Sequence, residues 1–372
     1  MMKKLGFYRV TMGCDPEFFF AVKGKTIGAE KILPKEGLEY KPGTTTGKAG
    51  DGRHTVRGEK NSKVIIDGIQ AELNPRANTC RANLGNEISA CFREVYKKLE
   101  DHPGVTAEFA QTVQITKEEM KSLDDSSKKF GCTPSKNAYT AKNNVKIKDA
   151  SRYFKRSAGG HIHLGHDDQA HVKKTLENTK DLVPMLDIIV GNTCVLLDKD
   201  PGNIERRKNY GRAGEFRTPP HGLEYRTLSN FWLQSYQLMS LATGLARLAV
   251  NIVANSTPEN DYVKAIRSKV NMRKIRKAIN SNDYDLAYAN FKAIEPILIE
   301  IIHDNDTEDY PITSKSIEAF HHFVEKGMNY WFTENPLEHW CKIPEGHGTG
   351  WEKFLMTTVQ KDLDQSKKLQ AK

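Results

Sequence analysis

Apolar and polar residues alternate near the start of the chain, which predicts β-structure there. Residues 6–23 mix aromatic and β-branched side chains with polar ones at roughly the two-residue period of a strand. Farther on, KVII and IQAELNP flank Asp67-Gly68, a dipeptide typical of a tight hairpin turn. The chain is therefore predicted to begin with strands of a sheet.

Apolar residues at helical spacing dominate later segments. This spacing is found in residues 79–100 and in residues 171–197, where Pro184 is expected to kink or break the helix. From Phe231 to about Gly327 the pattern is mostly helical. Between the helices, VTAEFAQTVQI and GLEYRTLSN have the character of strands. Early strands, interspersed helices and a helical finish predict an α+β fold.

Composition narrows the class of protein. The chain has 372 residues, 38% hydrophobic and 28% charged, and no apolar run of the roughly 20 residues that a bilayer span needs. No apolar secretory signal follows the first lysines, so a cytoplasmic protein without a membrane partner is expected. The six cysteines form no CxxC pair, which disfavours a zinc ribbon or a disulfide framework. The formal charge of +9 fits either nucleic acid or substrates that carry phosphate and carboxylate groups.

Acids, histidines and arginines recur two residues apart in strand-like segments. Side chains at positions i and i+2 of a strand point to the same face, so each pair offers two ligands to one side of a sheet. The pairs are Asp15 with Glu17, Glu72 with Asn74, His161 with His163, Glu224 with Arg226, and, as a weaker fifth, Glu215 with Arg217. Each pair alone is more often an exposed ion pair, and only their joint occurrence in one chain indicates a site.

Two further features connect these pairs to a chemistry. Converging carboxylates raise their own pKa values unless a cation is bound, and Mg²⁺ is the natural ion because it prefers carboxylate oxygen and also holds substrate phosphates. Mn²⁺ tolerates a histidine ligand better. Guanidinium groups match phosphate and carboxylate geometry, and a short stretch contains Arg206, Arg207, Arg212, Arg217 and Arg226. Acids beside arginines favour phosphoryl transfer from ATP over simple hydrolysis.

The residues alone leave two alternatives open. A zinc hydrolase could use His161, His163 and Asp15, although it would leave the arginines unexplained. A nucleic-acid-binding or virion-associated protein without catalysis would account for the +9 charge and the basic run ERRKNYGR. Nucleic acid is the less favoured partner, because the positive charge is spread along the chain.

Five segments taken together resemble a known family, the phage phiEco32-like COOH-NH2 ligases, or type 2 amidoligases, of the glutamine synthetase and glutamate-cysteine ligase superfamily. They are GCDPEF, DGIQAELNP, GGHIHLG, RRKNYGRAGEFR and GLEYRTLSNFW, within roughly residues 8–235. The helical C-terminal part matches only in general character. The resemblance implies a curved, mainly antiparallel sheet with the site on its concave face and helices outside, with a catalytic core at 1–254 and a helical region at 255–372.

The resemblance also implies roles for individual residues. One metal would be bound by Glu17 and Glu72, and the other by Asp15, His161 and Glu224, although Asp15 stands where such enzymes commonly have glutamate. The nucleotide phosphates and the acyl phosphate would face Arg212 and Arg226, with Arg207, Arg217 and His163 as further cofactor-side or substrate-side residues. The residues implied to be catalytic are Glu72, Arg212 and Arg226.

The activity implied by the resemblance is amide-bond formation. ATP would phosphorylate a substrate carboxylate, and an amine would attack the resulting acyl phosphate. The partners would be small-molecule or peptide carboxylates and amines, and the enzyme would be phage-encoded and act in the cytoplasm of a bacterial host. The glycine-rich stretch from Lys35 to Lys63 is a candidate lid over ATP.

Overall fold

The computed structural model describes residues 8–40, 62–128, 134–140, 153–259, 261–303, 309–325, 331–343 and 349–371. Their fold is α+β, as the hydrophobic pattern predicts. The strands are β1 (Thr11–Cys14), β2 (Glu17–Val22), β3 (Lys25–Ile27), β4 (Leu38–Tyr40), β5 (Ser62–Asp67), β6 (Gln70–Asn74), β7 (Val105–Glu108), β8 (Thr112–Gln114), β9 (Lys136–Asn137), β10 (Lys155–Ser157), β11 (Ile162–Gly165), β12 (Glu215–Arg217) and β13 (Gly222–Tyr225). The α-helices are α1 (Arg81–Glu100), α2 (Lys117–Ser122), α3 (Ala170–Glu177), α4 (Thr179–Leu186), α5 (Asn192–Val195), α6 (Gly202–Asn209), α7 (Tyr236–Asn255), α8 (Tyr262–Arg267), α9 (Met272–Ser281), α10 (Tyr284–His303), α11 (Asp309–Glu325), α12 (Pro336–Cys341) and α13 (Thr349–Gln370).

Two sheets contain most of the strands. The first sheet has the order β1-β11-β13-β12-β9, and the second has the order β3-β2-β6-β5-β4, with β7 also paired to β2. Strands β8 and β10 form a separate ribbon. All strand pairs among the described residues are antiparallel.

One short segment joins the two sheets. Strand β1 belongs to the first sheet and β2 to the second, and the chain passes from one to the other at Asp15-Pro16. Proline has no N–H to donate to a strand ladder, which explains why the single strand predicted over 6–23 is interrupted here. The N–H of Glu17 donates to the Gly159 carbonyl at 2.9 Å. The first acidic pair of the sequence therefore lies where the sheets are connected.

The predicted hairpin and the first predicted helix are confirmed. Strands β5 and β6 pair across Asp67-Gly68, and Gly68 has a φ of 63°, the left-handed conformation that the turn requires. Helix α1 occupies Arg81–Glu100, and the strand-like segment after it forms β7 and β8. The candidate lid from Lys35 to Lys63 lies mostly outside the described residues, since 41–61 are not among them.

The segment at 171–197 is helical, as predicted, and Pro184 does not end its helix. Pro184 lies within α4, and the helix continues through it into a π-helical turn at Asp187–Gly191 and then α5. A proline in a helix removes the N–H that would bond to the carbonyl four residues earlier. That carbonyl belongs to Lys180 and accepts a hydrogen bond from Arg267 Nη2 at 3.2 Å. An external donor thus replaces the missing bond.

Most of the helices share one hydrophobic core, whereas Met120 of α2 belongs to a second, smaller cluster. A single cluster of buried apolar side chains runs from Val10 to Leu363, so the helices after residue 254 pack against the same core as the strands. Among the described residues, α7 is the one helix long and apolar enough to cross a membrane, and 94% of its apolar window is buried inside the protein. It packs against α1, α4 and α11. This burial accounts for the hydropathy of α7 without a bilayer.

Candidate active site

Two groups of side chains meet where the sheets are connected. The first, which we call the imidazole cluster, consists of Asp15, His161, His163 and Glu224. Register places His163 directly opposite Glu224 on the neighbouring strand β13. Asp15 Oδ1 lies 3.1 Å from His161 Nδ1, and Asp15 Oδ2 lies 3.2 Å from His163 Nε2. His161 Nδ1 is also 3.5 Å from Glu224 Oε1, so the four predicted residues converge.

The imidazole cluster holds ionised carboxylates at neutral pH. Burial opposes ionisation of Asp15, but contacts with His161 and His163 outweigh it and hold the pKa of Asp15 below its ordinary value. Burial also opposes ionisation of Glu224, yet His161 and the hydrogen bond from Arg217 lower the pKa of that carboxyl. Burial lowers the pKa of His161 to about 4, so its ring is neutral and able to donate a lone pair to a cation.

The second group, the acid cluster, consists of Glu17, Asp67 and Glu72. Glu17 and Glu72 are direct partners across β2 and β6, and Asp67 ends the adjacent strand β5. One carboxylate oxygen from each residue lies within 4.8 Å of the other two. The acid cluster is thus a three-carboxylate group in the second sheet, next to the imidazole cluster in the first.

The carboxylates of the acid cluster resist ionisation in the absence of a cation. Burial and the charge of Asp67 raise the pKa of Glu17 to about 8. Burial, followed by the charges of Asp15 and Glu17, raises the pKa of Glu72 to about 9. Because Asp15 contributes to both shifts, the two clusters interact electrostatically. A bound divalent cation would reverse these shifts.

Glu17 is fixed in place by its surroundings. Its Oε2 accepts hydrogen bonds from the Gly159 N–H at 2.6 Å, Gln70 Nε2 at 3.2 Å and the Tyr210 hydroxyl at 3.5 Å. A Cβ at position 159 would lie 2.6 Å from His161 Nε2, which explains why glycine precedes the two histidines. Gly159 therefore serves both clusters at once.

Two arginines of the predicted stretch contact the clusters. Arg217 Nη2 donates to Glu224 Oε1 at 2.5 Å, and Arg226 Nε lies 3.0 Å from the same oxygen. Arg226 is buried, and its Nη1 donates to Ser135 Oγ at 2.7 Å. Both guanidinium groups also act electrostatically on Asp67 in the acid cluster, where they oppose the rise of its pKa caused by burial and Asp15.

The other three arginines donate hydrogen bonds to backbone carbonyls, and one of them also donates to the Asn282 side chain. Arg206 donates to the carbonyls of Thr227 and Leu228 at 3.0 and 2.6 Å. Arg207 donates to Asn282 Oδ1 at 2.9 Å and to the Ile279 carbonyl, at the end of α9. Arg212 is exposed and donates to the carbonyls of Arg207 and Lys208 at 2.8 and 3.2 Å, at the end of α6. Successive residues of a helix point in different directions, so a helical ERRKN run does not aim its arginines at one site.

Sequence reasoning missed several residues of the site. Asp67 belongs to the Asp67-Gly68 turn dipeptide, so the sequence predicts a role in the hairpin turn and gives no separate indication of a metal ligand. The resemblance implies a supporting or substrate-side role for His163. Its Nε2 lies within the imidazole cluster, and its Nδ1 lies 3.1 Å from His221 Nε2. No periodic pattern marks Tyr210 or His221, because both lie in loops.

The donor set fits divalent cations. Asp15 Oδ1, His163 Nε2 and both ring nitrogens of His161 are buried, and none makes a hydrogen bond of good geometry with the described part of the chain. Buried lone pairs without hydrogen-bond partners are costly unless a ligand satisfies them. Carboxylate oxygens beside imidazoles suit Mn²⁺ better than Mg²⁺. The acid cluster offers oxygen alone, the preferred ligand of Mg²⁺.

Fold and site together define an α+β protein whose buried centre combines two carboxylate-rich clusters with two arginines that contact Glu224. The family described as phage phiEco32-like COOH.NH2 ligase-type 2 matches residues 133–340. Since this is more than half of the 372 residues, the chain belongs to that family, and it is an enzyme of the carboxylate-amine ligase type. Among curated proteins, none matches this chain.

The extent of the match differs from the resemblance seen in the sequence. It begins after the motifs GCDPEF and DGIQAELNP and continues through most of the C-terminal helices. His161, His163, Glu224 and Arg226 lie inside the matched segment, whereas the acid cluster and Asp15 lie before it. The fold brings this earlier part of the chain against the matched part.

Proposed function

We propose that this ligase uses ATP and Mg²⁺ and forms an amide bond through an acyl phosphate, on a glutamine synthetase-like fold. The observation that carries the proposal is the placement of Arg217 and Arg226 beside two adjacent cation-binding clusters. Phosphoryl transfer needs cations and guanidinium groups around the transferring phosphate, and little else from the protein. A hydrolase with one metal would need neither the second cluster nor the arginines.

The proposed division of roles follows the geometry. Glu17, Asp67 and Glu72 would hold one Mg²⁺, and the imidazole cluster would hold the other, with Mn²⁺ as a substitute. Arg226 and Arg217 would neutralise charge on the phosphates and on the acyl phosphate. Arg207 and Arg212 have no such role in this proposal, because their guanidinium groups bond to backbone carbonyls at the ends of α9 and α6.

The proposed reaction has two steps. A substrate carboxylate oxygen attacks the γ-phosphorus of ATP, and ADP leaves. The amine nitrogen then attacks the carbonyl carbon, the C–O bond to phosphate breaks, the amine loses a proton, and amide and inorganic phosphate are released. The cations supply charge neutralisation throughout. Losing one preorganised contact to the transferring phosphate is expected to cost on the order of 3 kcal/mol of transition-state stabilisation.

The setting of the reaction is also proposed from the family. The carboxylate and amine would be small molecules or peptides, and the enzyme would be phage-encoded and act in the bacterial cytoplasm. The division into a catalytic core at 1–254 and a helical region at 255–372 stays a prediction.

The test is phosphate release from ATP. Purified protein with Mg²⁺ is screened against pools of carboxylates and amines, beside Glu72→Gln and a control, Glu100→Gln, which makes the same change at an exposed position at the end of α1. We expect release that needs both substrates, persists in the control and is lost in Glu72→Gln. Absence of both release and nucleotide binding would refute the proposal and direct attention to zinc content and DNA binding.

A further inference from the structure

A second group of metal-binding side chains lies on α11, on different elements from the candidate active site. Residues three and four apart on a helix are surface neighbours, so Glu325 is adjacent to both His321 and His322. One ligand atom from each of the three lies within 4.8 Å of the other two. We call this group the α11 triad.

Helix α10 orients two members of the triad. Glu295 Oε2 lies 2.8 Å from His321 Nδ1, and the Tyr288 hydroxyl donates to Glu325 Oε1 at 3.2 Å. Metal-bound histidines commonly have a carboxylate beside their second ring nitrogen, which fixes both the tautomer and the ring orientation when the N–H donates to it. Glu295 occupies that position, within ion-pair distance of His321 Nδ1 but without hydrogen-bond geometry. The neighbouring helix thus provides the support that a metal site needs.

The other nitrogen of His321 faces an unfavourable contact. When Nδ1 carries its proton toward Glu295, the neutral ring has a lone pair on Nε2, and this atom lies 2.8 Å from Glu325 Oε1. Two lone pairs at this distance repel each other unless a cation or a second ring proton lies between them. A metal ion, a doubly protonated imidazolium or a neighbouring ammonium group would each relieve this repulsion.

A positive group already approaches this point. Lys292 Nζ lies 3.3 Å from His321 Nε2 and 3.5 Å from Glu325 Oε1. The lysine side chain is 44% exposed, so it can move into solvent when another cation binds. The site therefore accommodates positive charge and can be reached from outside.

We propose that His321, His322 and Glu325 bind a divalent transition metal of the zinc type, with Glu295 and Tyr288 holding the ligands. Two imidazoles and one carboxylate suit Zn²⁺, which leaves a fourth position for water. Ligands of a tetrahedral zinc lie about 3.3 Å apart, so His321 Nε2 and Glu325 Oε1 would separate by about half an ångström on binding. The bound ion would stabilise the packing of α11 on α10. This site is independent of the proposed ligase chemistry.

The experiment is a Zn²⁺ titration followed by calorimetry and thermal melting, on chelator-treated full-length protein kept in excess Mg²⁺ so that Mg²⁺ competes at the acid cluster. We expect two zinc-binding events, one at the imidazole cluster and one at the α11 triad. The second raises Tm, is weakened at least about tenfold in His321→Gln and is unchanged in His102→Gln, on the turn between α1 and β7, whereas the first is the same in all three proteins. Cobalt absorption in place of zinc reports the ligand set directly, whatever the variant's stability.

Lys292→Gln separates a metal site from an imidazolium network. A metal site should bind Zn²⁺ more tightly once the competing ammonium group is removed, whereas an imidazolium network has no zinc affinity to gain. Equal zinc affinity in the wild type and His321→Gln, or no tightening in Lys292→Gln, would overturn the proposal. Glu325→Gln provides a second ligand variant if His321→Gln lowers the metal-free Tm.

Discussion

Glu72→Gln should raise the stability of the metal-free protein at pH 8 and reduce the stabilisation that Mg²⁺ provides. In the metal-free protein, burial and neighbouring acids raise the pKa of Glu72 from 4.5 to about 9. Between these two pH values the unfolded chain ionises Glu72 while the folded protein keeps the proton. The contribution of Glu72 to the free energy of unfolding is therefore most favourable below pH 4.5, and it becomes less favourable as the pH rises toward 9.

The size of this effect follows from the shift. At pH 8 the largest possible loss of folding stability from Glu72 is on the order of 5 kcal/mol, because each pH unit above 4.5 corresponds to about 1.4 kcal/mol. Two facts reduce this value: Glu17 shares the repulsion, and Glu72 is partly exposed. We therefore expect the loss of folding stability at pH 8 to be roughly 2 kcal/mol. Glutamine resembles the protonated acid and can still accept the hydrogen bond that Asn74 Nδ2 donates at 2.7 Å. The metal-free variant should thus match or exceed the wild type in stability at pH 8.

Thermal melting at pH 5 and pH 8, with and without Mg²⁺, measures both effects. For a chain of this length, 2 kcal/mol corresponds to a Tm change of about 2 to 4 °C. At 100 times the Kd, Mg²⁺ should stabilise the wild type by about 2.7 kcal/mol, and the variant by less, because it lacks one charged ligand. Glu100→Gln should follow the wild type. A variant with a lower metal-free Tm at pH 8 and an undiminished Mg²⁺ gain would show that Glu72 is a structural carboxylate.

Three shorter predictions follow from contacts around the site. His221→Ala should weaken Mn²⁺ binding about 10- to 100-fold in calorimetric titrations, because it removes the outer contact of His163; unchanged affinity would contradict this. Arg212→Ala should release phosphate from ATP at nearly the wild-type rate, whereas Arg226→Lys should release it about 10²- to 10³-fold more slowly. Equal losses of rate in the two variants would show that Arg212 also acts in the reaction. Asp187→Ala should lower stability by about 1 to 3 kcal/mol in denaturant titrations, because Asp187 accepts a 2.7 Å hydrogen bond from the buried Tyr225 hydroxyl; an unchanged midpoint would contradict it.

The elements that sequence predicts best here are those with strong local rules. The Asp67-Gly68 turn and helix α1 have such rules, since a turn needs a left-handed residue and an amphipathic helix needs an apolar stripe. The hydrophobic pattern does not predict helix α6, because its residues are almost all polar. Its stability comes from long-range contacts, such as the bond from Arg207 to Asn282.

The residues of the candidate site also differ in how well local sequence rules predict them. Pairs at i and i+2 located Glu72, His161, His163, Glu224 and Arg226, because a strand fixes the directions of alternate side chains. The same rule does not tell which strands become neighbours, so it did not place Asp67 beside Glu72. It also cannot rank arginines outside strands, and in the structure Arg207 and Arg212 donate to backbone carbonyls.

The segment Asp15-Pro16-Glu17 shows how a local interruption organises the whole centre. In an unbroken strand, Asp15 and Glu17 would point to the same face of one sheet. Pro16 ends the ladder of the first sheet, so Asp15 joins the imidazole cluster and Glu17 joins the acid cluster. The two clusters stay within electrostatic reach, because Asp15 raises the pKa of both Glu17 and Glu72. A cation that neutralises Asp15 would therefore ease ionisation of the acid cluster and favour binding of the second cation there, against the repulsion between the two ions.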